Sequence, residues 1–448
     1  MSQLPSSFRD PAGYVFEQDG ELFRQLLPPG AASFERFTES GLAQRLMEDG
    51  KIVAFSRHTS NAEGFVLHLN RLPYISYPYE WCFSQLRDAG ILTLKLMLEA
   101  LDKGMILKDA TAFNVAFQRC HPIFLDHTSF ELYQEGTPWR AYRQFVMHFL
   151  APLLLMQKVD LRCLELLREN VDGIPLDFAS RLLPWHTWLQ INPLIHIHLH
   201  ALMEQRYSLS RKPSHKTALP KARLLALIHE LHTLLSSLKP PKQCTLWADY
   251  YSKTSYLDTS FAFKRQAVRE FCEKHKGRSA VDLGANCGLF SQIAAEFFEL
   301  VLAADFDGRA VEELYRIGRG LDTNLQPVLL DLNNPSPDLG VLNEERSSFF
   351  SRTKADIVMG LALIHHLRIT GNWSIGQIVA LFSKLAPCAL VEFIPLDDIQ
   401  VQQLTRGREQ IYQDWTLENL CAAFQTQYAF CKVIPIPESG RSLIELAS

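Results

Sequence analysis

The run Ser279-Ala-Val-Asp-Leu-Gly-Ala-Asn-Cys-Gly288 constrains this chain more than any other stretch. A short, mostly apolar run ends in an acid, and a Gly-x-Asn-x-Gly turn follows. The next residues, Leu289-Phe-Ser-Gln-Ile-Ala-Ala-Glu-Phe-Phe298, have a helical pattern. A strand buried on both faces reads as a near-continuous apolar run. Glycines at its end let the backbone turn tightly and approach a ligand. The pattern predicts strand, glycine-rich turn and helix in a nucleotide-type site. The dinucleotide fingerprint G-x-G-x-x-G is absent, because Asn286 stands where the middle glycine would be. Asparagine tolerates a left-handed backbone better than most residues.

Downstream segments repeat the strand signal. Leu300 to Ala304 reads as a second strand ending at Asp305, which lies 21 positions after Gly284. That spacing suits a carboxylate accepting from ribose hydroxyls. Gln326 to Leu330 reads as a third strand, followed by Asp331-Leu332. Asp356 to Leu363 reads as the fourth, with Ile364-His-His-Leu367 after it, and Cys388 to Ile394 as the fifth. Two strand-like runs, Tyr428 to Ile436 and Ser442 to Leu446, flank a turn and predict a terminal hairpin.

On these residues, roughly 245–448 resemble the class I S-adenosylmethionine-dependent methyltransferases, whose first motif is acid-x-Gly-x-Gly-x-Gly. The resemblance implies a Rossmann-like seven-stranded sheet with a terminal antiparallel hairpin, and S-adenosyl-L-methionine as cofactor. It implies cofactor contacts from Asp282, Gly284, Asn286, Gly288, Asp305, Asp331 and Leu332. A segment before the first strand often closes over the cofactor in that family, which adds Tyr256 and Lys264. His365 and His366, beyond the fourth strand, are the candidate catalytic bases, since histidine titrates near neutral pH. Glu392 and Asp397 are candidates for lining the acceptor pocket. Plainer roles stand beside these: Asp305 as a helix cap, Asp331 as turn chemistry and Asp282 as a loop brace.

The first half of the chain carries a different signal. Turn and strand residues alternate over 8–30, and Gly90 to Met105 is a helix with a broad leucine face. Then come Asp109, Asn114, a short hairpin pattern, and an apolar run ending at Asp126. Asp-x4-Asn with a later strand-terminal Asp resembles the catalytic segment of kinase-like phosphotransferases. There the first Asp positions the nucleophile, and the Asn and second Asp hold Mg²⁺. Departures are Leu107-Lys108 before the first Asp, Asp126-His127-Thr128 in place of Asp-Phe-Gly, and no glycine-rich phosphate loop or strand lysine upstream. Capping and turn chemistry is the plain reading of Asp109 and Asn114. His196, His198 and His200 suggest a metal box, but the segment reads as helix, where His198 points away from the other two. No metal site is expected.

The fold class is thus α/β: a methyltransferase sheet over 244–448, preceded by a separate α+β domain over 1–207. Between them, 208–243 reads as a linker with an amphipathic helix from Ala222 to Leu238. The net charge of −4 supplies no general attraction to nucleic acid. Nine scattered cysteines without a C-x-x-C pair suit a reducing compartment, and the chain shows neither a secretory signal nor an 18-residue apolar stretch. A cytoplasmic location is expected. The expected activity is methyl transfer to an unidentified acceptor, a small molecule or a protein, with the N-terminal domain selecting it. The layout also loosely resembles bacterial proteins related to a nodulation host-specificity methyltransferase. The alternatives are a bifunctional phosphotransferase and methyltransferase, and a non-catalytic cofactor-binding module.

Overall fold

The computed structural model describes residues 2–61, 64–209, 218–241 and 258–448. The chain divides into two compact units. One comprises Met1–Lys242 with Asp338–Ser347, and the other Gln243–Pro337 with Ser348–Ser448.

In the first unit, strands β1 (Ser2–Gln3), β2 (Gly13–Gln18), β3 (Glu21–Leu26), β4 (Phe55–Asn61) and β5 (Gly64–Leu69) form an antiparallel sheet in the order β1-β2-β3-β5-β4. The β2–β3 hairpin turns on Asp19 and Gly20, whose φ angles of 53° and 82° are the left-handed pair that matches strand twist. After the sheet, helix Phe83–Asp102 buries its leucine face. Strand β6 (Met105–Leu107) and the hairpin of β7 (Val115–Gln118) and β8 (His121–Phe124) follow, and β9 (Phe130–Leu132) pairs with β6. Leu224, Ile228, Leu231 and Leu235 of helix Lys221–Ser237 are buried within this unit. A Cβ on Gly90 would lie 2.7 Å from Leu235 Cδ2, so glycine there is what allows that close approach. The amphipathic helix is therefore part of the first unit's core, and nothing in the linker sequence signalled that Asp338–Ser347 joins the same unit.

The second unit is built on β10 (Gly277–Leu283), β11 (Phe298–Asp305), β12 (Leu325–Leu329), β13 (Ile357–Gly360), β14 (Cys388–Phe393), β15 (Phe430–Pro435) and β16 (Ser442–Ala447). Their order is β12-β11-β10-β13-β14-β16-β15. The first five are parallel to one another, while β16 runs antiparallel between β14 and β15. The hairpin thus inserts its second strand next to the parallel sheet. Ala280, Val301, Ile357, Met359 and Leu390 of the sheet join Val268 and Phe271 of helix Asp258–Lys274 in one buried cluster. Each fully buried aliphatic side chain of this kind contributes roughly 1.5–3 kcal/mol. In a parallel sheet every carboxyl-terminal strand end opens on the same edge, and the order reverses between β10 and β13. That edge is where such sheets bind ligands.

Candidate functional site

The loop after β10 is shaped by its small residues. Gly284, Asn286 and Gly288 all have left-handed φ angles, of 70°, 49° and 81°. A Cβ on Gly288 would meet Leu314 Cδ2 at 2.2 Å and would sit on a left-handed backbone, so any other residue there is strained and must displace Leu314. The Gly284 and Ala285 N–H groups donate to Ala304 O on β11 at 2.9 and 3.0 Å, which fastens the loop to the neighbouring strand. Asn286 Oδ1 accepts from Cys287 N at 2.7 Å and stabilises the tight turn locally.

Two acids stand at the strand ends beside this loop. Asp305 Oδ2 accepts from Asn286 N at 2.8 Å and Oδ1 from Asp307 N at 2.9 Å. The helix after Gly308 is capped by Asp307, which accepts from Arg309 N at 2.9 Å, so Asp305 is not its cap. Asp282 Oδ2 accepts from Ser291 Oγ at 2.6 Å. Burial pushes Asp282 up to about 7, against the Ser291 hydrogen bond and with help from the charge of Asp305. Burial likewise pushes Asp305 up to about 6, against its backbone N–H donors. Two buried carboxyls held this far above their ordinary range in a cleft mark a candidate functional site.

Asp282, Gly284, Asn286, Asp305, Asp331, Leu332, Lys264 and His366 all line one cavity of about 440 Å³ within this unit. Leucines dominate the rest of the wall, with Phe261, Phe290 and Phe306. Gly288 lies behind the loop and shapes it without lining the cavity. Asp331 is exposed and its Oδ1 accepts from Asn333 N at 2.8 Å, so turn chemistry and a place on the cavity wall coincide in one residue. Tyr256 lies outside the described residues.

Lys264 reaches the cavity from helix Asp258–Lys274. Its Nζ donates to Glu392 Oε2 at 2.7 Å and sits 4.6 Å from the centre of the Phe290 ring. Glu392, fully buried at the end of β14, also accepts from Ala362 N at 2.9 Å. Ala362 is in the turn after β13 with φ of 52°, a strained conformation for a residue with a Cβ. Arg441 completes the network, 3.9 Å from Glu392 and 2.8 Å from Asp398. Asp398 caps helix Ile399–Thr405, whose Leu404 lines the cavity. Glu392 therefore braces the wall from behind and is not among the residues that line it.

The two histidines separate. His365 is 2% exposed, is absent from the cavity wall and is held well below its ordinary pKa by burial. His366 is on the wall, its ring 4.1 Å from that of His365, and burial lowers it to about 4. Both are neutral at pH 7. Only His366 meets the cavity, as a weak base or a hydrogen-bonding group.

The other sequence clusters lie in the first unit. Asp126 follows the β7–β8 hairpin and ion-pairs with Arg24 NH1 on β3 at 2.6 Å. Asn114 donates to Ser129 Oγ at 3.3 Å, and side-chain hydrogen bonds from Gln144 and Asn114 reach Asp109. Burial, reinforced by Asp126, raises the Asp109 carboxyl. The three histidines diverge through a π-helical turn over Leu194–Leu199. His196 Nδ1 meets Tyr142 at 2.6 Å, whereas His198 lies between Ser180 and Thr187 at 2.7 and 2.9 Å. Among the described residues no cluster of His, Cys, Asp and Glu is arranged to hold a metal ion. No helix among them is long and apolar enough to cross a membrane.

The sequence matches no protein-family model. Among solved structures, the N-methyltransferase NodS from Bradyrhizobium japonicum WM9 aligns over 43% of this chain and 97% of its own, with 9% identity and a TM-score of 0.31. Magnesium protoporphyrin IX methyltransferase from Synechocystis PCC 6803, with bound SAH, aligns over 45% of this chain and 91% of its own, with 15% identity and a TM-score of 0.32. The bifunctional kinase-methyltransferase WbdD aligns over 48% of this chain and 46% of its own, with 15% identity and a TM-score of 0.32. Nodulation protein NoeA of Rhizobium meliloti (strain 1021) is 34% identical over 455 residues, spanning 98% of this chain and 95% of that protein. On that near full-length match, the chain belongs to the family of nodulation protein NoeA.

Proposed function

We propose that the second unit binds S-adenosyl-L-methionine and transfers its methyl group to an acceptor, in the setting of nodulation that the relative's name suggests. The observation that carries this reading is the cavity at the sheet's switch point, where the left-handed Gly284–Asn286 turn and the buried acids Asp282 and Asp305 converge. The residues fit the cofactor by chemistry. Asp305 is placed to accept from ribose hydroxyls, and the leucine-rich wall with Leu332 suits an adenine face. Lys264, paired with Glu392, has further ammonium N–H donors for the carboxylate of an amino-acid end, and Asp282 on the same wall is placed to accept from its ammonium group.

Bound there, the cofactor supplies an electrophilic methyl group. The protein's part is to align a nucleophile with it and exclude water. The wall of Leu361, Leu363, Leu367 and Leu404 does the excluding, and His366 offers the acceptor a neutral hydrogen-bond partner. A base that titrates near 4 removes protons poorly from alcohols or ammonium groups. The acceptor this wall favours is therefore one that arrives already nucleophilic at neutral pH. The first unit, in this reading, selects the acceptor.

Calorimetry with S-adenosylhomocysteine tests the proposal. The wild-type chain is expected to bind it, and Asp305→Ala to bind it at least ten-fold more weakly, since hydrogen bonds to a charged group contribute about 1.5–3 kcal/mol each. Failure of the wild type to bind either S-adenosylmethionine or S-adenosylhomocysteine would end the reading.

A further inference from the structure

The first unit presents the layout of a phosphotransfer segment with one substitution that changes its chemistry. Its sheet runs β1-β2-β3-β5-β4, and Asp109, Asn114, the β7–β8 hairpin and Asp126 follow helix Phe83–Asp102 in order. In protein kinases a lysine on the third strand serves the phosphates, and the last Asp holds Mg²⁺. Here the third strand carries Arg24, and its guanidinium is on the Asp126 carboxylate itself.

The acceptor capacity of Asp126 decides whether a metal fits. A carboxylate offers about four lone-pair positions. Oδ1 of Asp126 receives Arg24 NH1 at 2.6 Å and Thr128 N at 3.1 Å, which fill its two positions, and Oδ2 receives Ser129 Oγ at 2.6 Å; the single proton of the Thr128 hydroxyl, 2.6 Å from Oδ1, is shared between Asp126 and Asp10. The surroundings are equally committed. Lys108 Nζ and Ala12 N donate to Asp10 Oδ1 at 3.1 and 2.9 Å, and the Thr128 hydroxyl also contacts Asp10 Oδ2. Asn114 uses its amide on Ser129 and Asp109. His127, in the position after the Asp, is pinned by Val53 O at 2.8 Å and packs edge-on against Phe55. Arg24 and Asp126 are both nearly buried, with 9% and 13% of their side chains exposed, so this pair is not a surface contact that solvent competes for freely. A divalent cation on Asp126 would have to displace a guanidinium that already neutralises it. The residues do not fit the metal.

We propose that Arg24 takes, in this unit, the place that kinase-like phosphotransferases give to a divalent cation, so that the unit is held together by an internal ion pair and does not use Mg²⁺·ATP. The inference rests on the Arg24 and Asp126 geometry alone and is independent of the methyltransferase reading. Its consequence is that the first unit has no Mg²⁺-dependent phosphotransfer activity of its own.

The test is calorimetry of the full chain with ATP, with and without Mg²⁺, in the wild type and Asp126→Asn. The expected result is no Mg²⁺-dependent binding of ATP. Binding that needs no Mg²⁺ and survives in Asp126→Asn also agrees, because it belongs to another cavity. Binding that requires Mg²⁺ and is lost in a folded Asp126→Asn would overturn the proposal. A second arm does not depend on ATP. In Arg24→Ala the uncompensated Asp126 becomes available, so millimolar MgCl2 should raise the melting temperature of that variant and leave the wild type unmoved. Arg24→Ala with Asp126→Ala should lose the rise. An equal Mg²⁺ response in wild type and Arg24→Ala would contradict the substitution of cation by guanidinium.

Discussion

Glu392→Ala isolates the part of the cavity wall that the structure makes most dependent on one side chain. The carboxylate is fully buried and holds two things at once: the Lys264 ammonium at 2.7 Å and the Ala362 N–H at 2.9 Å. Removing one member of a buried ion pair costs about 3–5 kcal/mol, because the other charge stays in the low-dielectric interior. Releasing a buried backbone N–H adds about 1–3 kcal/mol unless the turn relaxes, and Ala362 is already strained at φ of 52°. The turn is therefore expected to relax and move Leu361 and Leu363 on the wall. For a unit of this size, about 4 kcal/mol lowers the melting temperature by roughly 8–16 °C. Glu392→Gln keeps an acceptor for both donors but leaves the Lys264 ammonium without its counter-charge, so it should recover only the smaller part of the loss, the about 1–3 kcal/mol that belongs to the Ala362 N–H. Thermal unfolding gives the stability of the three proteins, and calorimetry with S-adenosylhomocysteine reports the wall. If Glu392→Ala melts and binds as the wild type does, Glu392 is not the brace described here. A Glu392→Gln variant as damaged as the alanine would show that charge, not hydrogen bonding to Ala362, sets the effect.

Four further outcomes are expected. Asp305→Asn must turn an amide NH₂ toward either Asn286 N or Asp307 N, so it should weaken S-adenosylhomocysteine binding about 5- to 150-fold for a loss of about 1–3 kcal/mol, read by calorimetry. Gly288→Ala would force a Cβ within 2.2 Å of Leu314 at φ of 81°, and should abolish cofactor binding and lower the melting temperature by more than an exposed helix substitution would. The raised Asp282 and Asp305 carboxyls keep their protons longer in the folded chain than in the unfolded one. Their contribution to stability is thus full below the ordinary carboxylate range near 4 and falls as pH rises through about 6 and 7, and Asp282→Asn should flatten that decline in thermal unfolding. His365 and His366, both lowered by burial, should show ring-proton NMR shifts that stay constant between pH about 5.5 and 8, and an inflection near 6.5 for His366 would restore it as a conventional base.

What the sequence made legible is what short-range physics controls. β10 and its loop were readable because a strand buried on both faces must be apolar along its length, and because a turn with three left-handed positions needs glycine or asparagine there. The strand before Asp305 is legible for the same reason, and its distance from Gly284 follows from one helix and one strand of ordinary length. The choice between cap and ligand for Asp305 was not legible. Two residues further on, Asp307 satisfies the same capping rule, and only the backbone path shows which acid faces the helix and which the loop. The helical reading of the three histidines at 196–200, which turned His198 away from the other two, is likewise a short-range one. The turn is π-helical, a detail the spacing did not show, and it sets His198 on Ser180 and Thr187.

The brace behind the cavity was beyond any local pattern. Lys264 and Glu392 are separated by 128 positions; each reads as a candidate site residue by itself, but nothing local shows that they pair. Nor does anything local pair Arg24 with Asp126, 102 positions apart. Asp126 carried a motif-like signal and Arg24 carried none, so the sequence displayed the acid of a metal site and hid the cation that replaces the metal. A buried charge is tolerated only with its partner, whichever part of the chain supplies it. The reading of an isolated acid therefore depends on finding the opposite charge in space. In the second unit that search returns a lysine that pairs with Glu392 and also lines the cavity; in the first it returns an arginine seated on the acid itself.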